Sequence, residues 1–447
     1  MINVKLDTQK KIGQIKPMHA VGQPPFAGGI LKFDFSHIKH LQNAHIPYSR
    51  LHDVGGAFGD NRFVDIPNIF RNFDADENDP ASYDFIFTDV LIEGMYSYNV
   101  KPIFRLGVTI ENQAFIKSYR IDPPSDYGKW ARVCEHIIRH YNEGWADGYH
   151  YGIEYWEIWN EADNGPVVER NQMWTGSAEQ FYELYDVTAK HLKACFGDSI
   201  KVGGYGASEI RGIFYEPERF DADVPAIQTD ENRDKYVYRV EFFHGFFKYI
   251  KEHGSPIDFF SWHSYSDVDR TVIIDGYIHK KLTEYGYGDI ETHLNEWNNV
   301  HKSLLHGSSF ASAASASMMI AMQNAHVDML CYYDSRLLAS TYGGFFAPLT
   351  FEPVSTYYAF VAFGKLYALG TQIETVCDTE GFYALAASDC KRNALLLVNR
   401  TGEDQELRID GAELSGARYY IIDQKHLMSI AFDADRIKND TVLYIEW

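Results

Sequence analysis

The chain has 447 residues, a mass of 51.3 kDa and a formal net charge of −21. Its 45% hydrophobic and 15% aromatic content is enough for a packed core and excludes a disordered chain. Because no Lys/Arg-rich run offsets the negative charge, nucleic acids, anionic membranes and acidic polymers are disfavoured as partners.

The N-terminus and the cysteines give no sign of export or of metal chemistry. Residues 1–7 lack a basic region followed by an apolar stretch, and no run of 18 apolar residues occurs, so we expect a soluble cytoplasmic protein. The five cysteines are widely spread without a C-x-x-C spacing, which predicts neither a disulfide framework nor a cysteine zinc site. We expect no cofactor and no metal, and the oligomeric state, including a homo-oligomer, is left open.

Residues 10–370 alternate short apolar runs with longer helix-period segments, as parallel strands joined by crossover helices do. The predicted strands are Ile12–Ile15 with an extension towards Val21, Pro47–His52, Pro102–Leu106, Tyr155–Trp159, Ile200–Gly204, Asp258–His263, Thr292–Glu296 and Met329–Tyr333. The helices predicted between them include Phe85–Tyr98, Lys129–Tyr141, Ala178–Cys195, Arg239–His253 and Ala311–Ala325. Eight repeats predict an α/β fold closed into a (β/α)8 TIM barrel. An open doubly wound sheet is the alternative, but no glycine-rich phosphate turn follows the first strand.

The pattern changes after a predicted helix at Ser355–Leu369. Residues 371–447 show short strands punctuated by turn residues, and they predict a small antiparallel β-sandwich. The predicted strands of this part are Phe382–Ala386, Ala394–Val398, Glu406–Ile409, Arg418–Ile422 and Val442–Trp447. Residues 1–9 form a further alternating strand, which we expect to join that sandwich.

Two predicted strands end on a glutamate that has tryptophan and asparagine residues as neighbours in the sequence. One reads Trp156-Glu157-Ile158-Trp159-Asn160-Glu161, and the other reads Thr292-His293-Leu294-Asn295-Glu296-Trp297-Asn298. The carboxyl ends of barrel strands face the active site, and these two strands, the fourth and the seventh, can face each other across the barrel mouth. Two carboxyl groups so placed suit acid/base and nucleophilic chemistry on a sugar. Their separation, which distinguishes retention from inversion, stays open at this point.

These motifs resemble glycoside hydrolase family 39, the β-xylosidase and α-L-iduronidase group among the retaining barrel glycosidases. The resemblance rests on Trp156–Glu161, on Trp174 with Phe181–Tyr185, on Glu296–Asn298 and on Tyr83–Phe85 with Asp89. It covers most of residues 45–300. It departs from the family at Ala162, where proline is usual, at Asn295, where a small hydroxyl residue is common, and in an eighth strand without tryptophan.

The resemblance implies a role for each matching position. Glu161 would be the acid/base, and Glu296 would be the nucleophile. Asn160 would bind the sugar 2-hydroxyl, a contact that strengthens in the transition state. The remaining substrate-binding candidates are Arg50, His52, His263, Tyr265, Trp297 and Asp334.

Several of these candidates have simpler interpretations. Arg50 could neutralise a barrel carboxylate, and His52 and His263 could be core imidazoles. Asp334 could contact a sugar or merely pair with Arg336. Glu157 would share a face with Glu161 only if the strand stayed regular to its end.

Taken together, these observations predict an exo-acting, retaining, β-xylosidase-like enzyme that removes terminal sugars from short oligosaccharides or glycosides. A barrel glycosidase of other specificity, α-L-arabinofuranosidase-like or β-glucosidase-like, is the nearest alternative. A carbohydrate-binding barrel without activity is the alternative from another class. A metal-dependent hydrolase is disfavoured because the sequence has no His-x-His, and His37 and His40 fall on a predicted helix.

Overall fold

A closed barrel of eight parallel strands forms the body of the molecule in the computed structural model. The structure describes residues 1–27, 33–54, 63–109, 121–166, 171–300, 302–337, 341–431 and 435–447. Strand β1 (Ile2–Gln14) precedes the barrel. The barrel strands are β2 (Ala20–Gly22), β3 (Tyr48–Leu51), β4 (Lys101–Leu106), β5 (Tyr155–Ile158), β6 (Lys201–Ala207), β7 (Phe259–Ser264), β8 (Glu291–Trp297) and β9 (Met329–Tyr332).

Helices follow the barrel strands and cover the outside of the barrel. Within the described ranges they are α1 (Lys39–Asn43), α2 (Ile66–Ile69), α3 (Ile86–Tyr96), α4 (Tyr127–Asn142), α5 (Ala178–Phe196), α6 (Pro217–Phe220), α7 (Arg233–His253), α8 (Val268–Tyr285), α9 (Ser309–Gln323) and α10 (Ser355–Leu369). Short 3-10 turns lie at Ser36–Ile38, Pro80–Ser82, Gly197–Ser199, Arg211–Phe214 and Ser303–Leu305. Among the described residues, no helix has the length and apolar character that crossing a bilayer requires.

Helix α5 shows how local sequence fixes these elements. Ser177 and Gln180 form a reciprocal capping box that satisfies backbone N–H groups at the start of the helix. Its buried face, which includes Phe181, Leu184 and Leu192, packs into the main core. Burial of one apolar stripe on each helix accounts for most of the stability of such an element.

The C-terminal strands and β1 form a nine-stranded mixed sheet. The strands are β10 (Thr371–Val376), β11 (Phe382–Ser388), β12 (Asn393–Asn399), β13 (Gln405–Asp410), β14 (Arg418–Ile422), β15 (Leu427–Ala431), β16 (Arg436–Ile437) and β17 (Thr441–Glu446). Strand β1 lies between β10 and β13 and runs antiparallel to the first and parallel to the second. Ile2, Val4 and Leu6 of β1 share a buried cluster with residues of β12 and β17.

The predicted barrel with a C-terminal β-structure is confirmed, and the parallel pairing of β1 with β13 makes that sheet mixed rather than purely antiparallel. The predicted first barrel strand at Ile12–Ile15 is wrong. Residues as far as Gln14 belong to β1, which continues through an irregularity between Asp7 and Lys11 and keeps its pairing with β10. The first barrel strand is Ala20–Gly22, in the direction of the predicted extension. The division at residues 370 and 371 stays a prediction.

Candidate active site

A cavity of about 450 Å³ opens at the carboxyl ends of the barrel strands. Five of the predicted site residues line it: His52, Asn160, Glu161, Tyr265 and Glu296. Arg50 and His263 lie beneath them, almost fully buried; His263 contacts both glutamates, and Arg50 contacts Glu296. The barrel therefore brings together residues from β3, β5, β7 and β8 and the segments that follow them.

The backbone after β5 determines where Glu161 points. Trp159 and Glu161 have φ angles of 71° and 46°, so the chain leaves the extended conformation at the end of the strand. The backbone N–H of Glu161 donates to the carbonyl of Gly206 at 2.9 Å. Strand alternation is broken, and Glu157 remains inside the barrel while Glu161 enters the cavity.

Arg50 contacts three functional groups at once. Its Nε donates to Glu157 at 2.7 Å, its Nη1 to Glu296 at 3.1 Å and its Nη2 to Asn160 Oδ1 at 2.6 Å. Gly206 lies against this arrangement, and a Cβ there would stand 2.9 Å from Asn160 Oδ1. Arg50 thus neutralises a barrel carboxylate and also orients Glu296 and Asn160.

Glu157 is a fully buried carboxylate that anchors Arg50 from below. Its Oε1 accepts hydrogen bonds from Ser261 and from Asn295, each at 2.6 Å. Burial raises the pKa of Glu157, but the charge of Arg50 and these hydrogen bonds outweigh burial and leave the pKa below its usual range. Asn295, which departs from the family pattern, therefore donates to this buried carboxylate. The sequence patterns had assigned no role to Glu157.

His263 lies between the two glutamates. Its Nδ1 is 2.9 Å from Glu161 Oε1, and its Nε2 is 3.6 Å from Glu296 Oε2. One carboxylate oxygen of each glutamate and one ring nitrogen lie within 4.8 Å of one another. Burial lowers the pKa of His263, but the negative charges of both glutamates and the hydrogen bond to Glu161 raise it above its usual value overall.

The two glutamates have different surroundings. Burial raises the pKa of Glu161, yet His263 and the amide of Asn164, which donates at 2.7 Å, lower it to about 2. Burial raises the pKa of Glu296, and the Glu161 charge adds to this effect. The hydroxyl of Tyr265 donates to Glu296 Oε1 and opposes that rise. The two pKa values are therefore separated, with Glu161 the more acidic carboxyl group, so the proton for an acid at this position has to involve His263.

Trp297 and Asp334 lie outside the cavity lining. Trp297 is fully buried against Tyr332. Asp334 is fully buried and pairs with Arg336 Nε at 2.6 Å. Arg336 in turn donates to the hydroxyl of Tyr333, which lines the cavity.

Tyr333 and the adjoining end of β3 close one side of the cavity. The Tyr333 hydroxyl donates to Asp53 Oδ2 at 2.6 Å, and Asp53 lies 3.1 Å from His52 Nε2. Burial and the nearby charge of Arg50 lower the pKa of His52 well below its usual value, so its imidazole is neutral. Asp53 belongs to the segment that follows β3, of which residues 55–62 lie outside the described part of the chain.

Sequence reasoning missed the basic residues of the opposite wall. Arg211, Lys235 and Arg239 line the cavity beside Glu161. Helix α7 begins at Arg233, not at the predicted Arg239, so Lys235 and Arg239 lie one turn apart on one helix. A correct helix start would have revealed this pair.

Within the part of the chain that the structure describes, two groups of side chains have ligand atoms close enough for a metal ion. One is Glu161, His263 and Glu296, where the Arg50 guanidinium already supplies a positive charge. The other is Glu135, His191 and Cys195 on α4 and α5, where Arg139 donates to Glu135 at 2.7 Å. Cations of the protein itself thus lie against both groups.

A TIM barrel with two glutamates facing each other at its carboxyl end is the arrangement of a barrel glycoside hydrolase. A family model for glycosyl hydrolases family 39 matches residues 4–292. The chain belongs to that family and is a glycoside hydrolase.

Among characterised relatives, a β-xylosidase from Geobacillus stearothermophilus is 24% identical over 234 residues. That match covers 50% of this chain and 37% of the relative. Solved structures that share the fold over the whole chain include the following two. A glucosidase from Croceicoccus marinus has a TM-score of 0.75 at 20% identity, and the match covers 100% of this chain and 98% of that one. A family 39 β-xylosidase from Caulobacter crescentus has a TM-score of 0.69 at 16% identity, with 100% and 99% covered.

Proposed function

We propose that this glycoside hydrolase is a retaining, exo-acting, β-xylosidase-like enzyme that works by double displacement. The observation that carries the proposal is the approach of Glu161 and Glu296, whose oxygens lie within 4.8 Å of one another. Retaining enzymes place their carboxyl groups about 5–5.5 Å apart, whereas inverting enzymes leave room for a water at about 6.5–9.5 Å. This approach is closer than an inverting pair requires and supports retention.

In the first step Glu296 attacks the anomeric carbon and Glu161 protonates the departing oxygen. Glu296 is held for attack by Arg50 and by Tyr265. In the free enzyme this proton is shared by the His263 and Glu161 pair, because the pKa of Glu161 is lowered and that of His263 is raised. It reaches Glu161 across the 2.9 Å contact as substrate enters.

In the second step Glu161, now ionised, takes a proton from a water that attacks the glycosyl-enzyme, and Glu296 is released. Asn160 is oriented by Arg50 to bind the sugar 2-hydroxyl in both steps. Since the group that gives the proton is the group that later removes one, the same residue serves as acid and base.

The exo mode and the sugar are finer parts of the proposal. A cavity of about 450 Å³, closed on one side by His52, Asp53 and Tyr333, suits one terminal sugar better than an open polymer cleft would. The relative from Geobacillus stearothermophilus is a β-xylosidase, which favours xylose. Trp297 and Asp334 have supporting roles in this proposal, because both are buried outside the cavity lining.

A panel of 4-nitrophenyl glycosides that includes β-D-xyloside, α-L-arabinofuranoside and β-D-glucoside tests this proposal. We expect the xyloside to be the best substrate and the product to keep the β configuration when followed by proton NMR. Glu296→Gln should lower kcat/KM by at least about a thousandfold. Glu161→Gln should regain turnover with azide, which needs no base, and should give the β-glycosyl azide. An α product, or no turnover of any glycoside, would contradict the proposal.

A further inference from the structure

Three cationic side chains form one wall of the cavity, which we call the basic wall: Arg211, Lys235 and Arg239. Arg211 lies in the 3-10 turn after β6, and the other two lie on one face of α7. Like charges four residues apart on a helix repel each other. In agreement with that repulsion, burial and the neighbouring Arg239 lower the pKa of Lys235. Such a pair is unfavourable unless something negative binds to it.

The protein itself does not neutralise the basic wall. Within the described residues, no carboxylate oxygen forms an ion pair with any of the three side chains. Arg239 is only 7% exposed, and its Nε and that of Arg211 are buried without a hydrogen-bond partner. A buried cation without a paired anion is costly, so an anion bound in the cavity would relieve this cost.

The geometry of the wall holds the guanidinium groups in place. Arg211 Cζ lies 5.5 Å and Arg239 Cζ lies 5.1 Å from the centroid of the Tyr236 ring. These cation–π contacts hold both guanidinium groups in place. Glu209 and Glu161 also line the cavity, but Glu209 is engaged by the hydroxyl of Ser266 and Glu161 by His263 and Asn164, so neither forms an ion pair with the wall. The wall therefore remains cationic.

Buried Asp163 is the simpler explanation for Arg239. The Arg239 charge does act on Asp163, but Asp163 accepts from the backbone N–H of Ser208, and its other oxygen has no partner. Burial raises the pKa of Asp163 to about 7, so near neutral pH it compensates only part of a charge. Asp163 does not account for Lys235 or Arg211.

The position of the wall relative to the two glutamates indicates which part of a substrate meets it. The charge of Arg239 acts on Glu161, and the charge of Glu161 acts on Lys235, whereas Glu296 is influenced by His263 and Arg50. Glu161 is the residue that meets the departing oxygen in the function proposed above. The wall therefore lies on the side of the leaving group.

We propose that the basic wall binds an oxyanion, as a carboxylate, sulfate or phosphate group, carried by the leaving group of the glycoside. The placement of the anion on the leaving group rests on the proposed function, whereas binding of an anion by the wall does not depend on turnover. The net charge of −21 disfavours acidic polymers at long range. Salt screens charges more than about 10 Å away, so the cations of the wall dominate the potential at a small anion already in the cavity.

Binding of free aglycones by calorimetry tests the wall without turnover. The probes are 4-hydroxybenzoate, 4-hydroxyphenyl sulfate and 4-hydroxyphenyl phosphate, with neutral 4-hydroxybenzamide as the matched control. We expect at least one anion to bind at least about tenfold more tightly than the benzamide. The anion that binds most tightly identifies the kind of oxyanion that the wall prefers. Lys235→Gln and Arg211→Gln, at partly exposed positions that tolerate change, should remove this preference. Lys391→Gln, an exposed change in the C-terminal sheet, should keep it. Equal binding of anions and benzamide, or a preference that survives both substitutions in the wall, would overturn the proposal.

The corresponding aryl xylosides separate this proposal from the proposed function. We expect the ratio of kcat/KM for the anionic and the carboxamide glycoside to fall about tenfold or more from wild type to Lys235→Gln, a comparison that cancels the reactivity of each leaving group. An unchanged ratio would overturn the placement of the anion on the leaving group. If no xyloside is cleaved while the calorimetric preference persists, the proposed function fails and the anion site stands.

Discussion

His263 Nδ1 lies 2.9 Å from Glu161 Oε1. This contact raises the pKa of His263 and helps to lower the pKa of Glu161 to about 2. The second ring nitrogen faces Glu296 at 3.6 Å. His263 thus lies between the two candidate carboxylates, and their negative charges favour its protonated form. In the proposed mechanism, the proton needed for leaving-group departure belongs in the free enzyme to the His263 and Glu161 pair rather than to one residue.

The alkaline limb of the pH profile should depend on this pair. The pKa of His263 is raised, so the proton of the pair is lost only above pH 6.5, the usual histidine pKa. In His263→Gln the pKa of Glu161 rises from about 2 because its main lowering partner is gone, but a carboxyl then carries the proton. We expect the alkaline limb of kcat/KM to move to lower pH and the maximum to fall. His253→Gln, at an exposed site on α7, is the control, and an unshifted alkaline limb in His263→Gln would refute the pairing.

The acidic limb should depend on Tyr265. Its hydroxyl donates to the ionised form of Glu296 and lowers the pKa of that carboxyl against the effect of burial. Tyr265→Phe removes this contribution, so the pKa of Glu296 rises and the acidic limb of kcat/KM should move to higher pH. A shift to lower pH would show that the hydroxyl favours the protonated form. Tyr358→Phe serves as a distant control.

Arg50 and Glu157 should be coupled in stability. Arg50→Met leaves Glu157 buried without its cation, and breaking a buried pair in this way costs about 3–5 kcal/mol. Glu157→Gln added to Arg50→Met removes the unpaired charge and should regain more than half of that loss in urea unfolding. Activity should stay at least about a hundredfold down in both, because Glu296 and Asn160 lose their orientation. Additive stability losses would contradict this account.

Strand β1 should contribute to the stability of the C-terminal sheet. Val4 is fully buried in the cluster that β1 shares with β12 and β17. Val4→Ala should lower the free energy of unfolding by about 1–3 kcal/mol, for the lost methyl groups and the cavity left behind. Lys5→Ala, whose side chain faces solvent on the same strand, should change it by less than about 0.5 kcal/mol. Equal effects would indicate that β1 is not packed as described.

Much of the fold could be predicted because alternation of apolar runs and helix-period segments is a local signal. The bounds of helix α10 agree with the prediction, as do those of β14. The first barrel strand was misplaced because Ile12–Ile15 looks like any short apolar strand, and its partner β10 lies more than 350 residues away in the chain. Strands of that kind are assigned by tertiary pairing, which sequence patterns do not contain.

Candidate site residues that lie in a sequence motif could be predicted, whereas those whose position depends on tertiary packing could not. Glu161 and Glu296 stood out beside their amides and aromatic residues. Glu157 did not, because its role arises from the break in strand alternation at Trp159. Trp297, a candidate for substrate binding, lies outside the cavity lining for a related reason, since neighbouring side chains on a strand point to opposite faces. The basic wall depends on where α7 begins, and helix starts are poorly defined by periodicity.

The most direct test of the central claim is a covalent trap of the first step. The enzyme is incubated with 2-deoxy-2-fluoro-β-D-xylopyranosyl fluoride, digested with pepsin and mapped by tandem mass spectrometry. Our account predicts one fluorosugar per chain, attached to Glu296, and about equal labelling of the peptide in Glu161→Gln. A label on any other residue, or no label on an enzyme that hydrolyses the matching aryl xyloside, would contradict it.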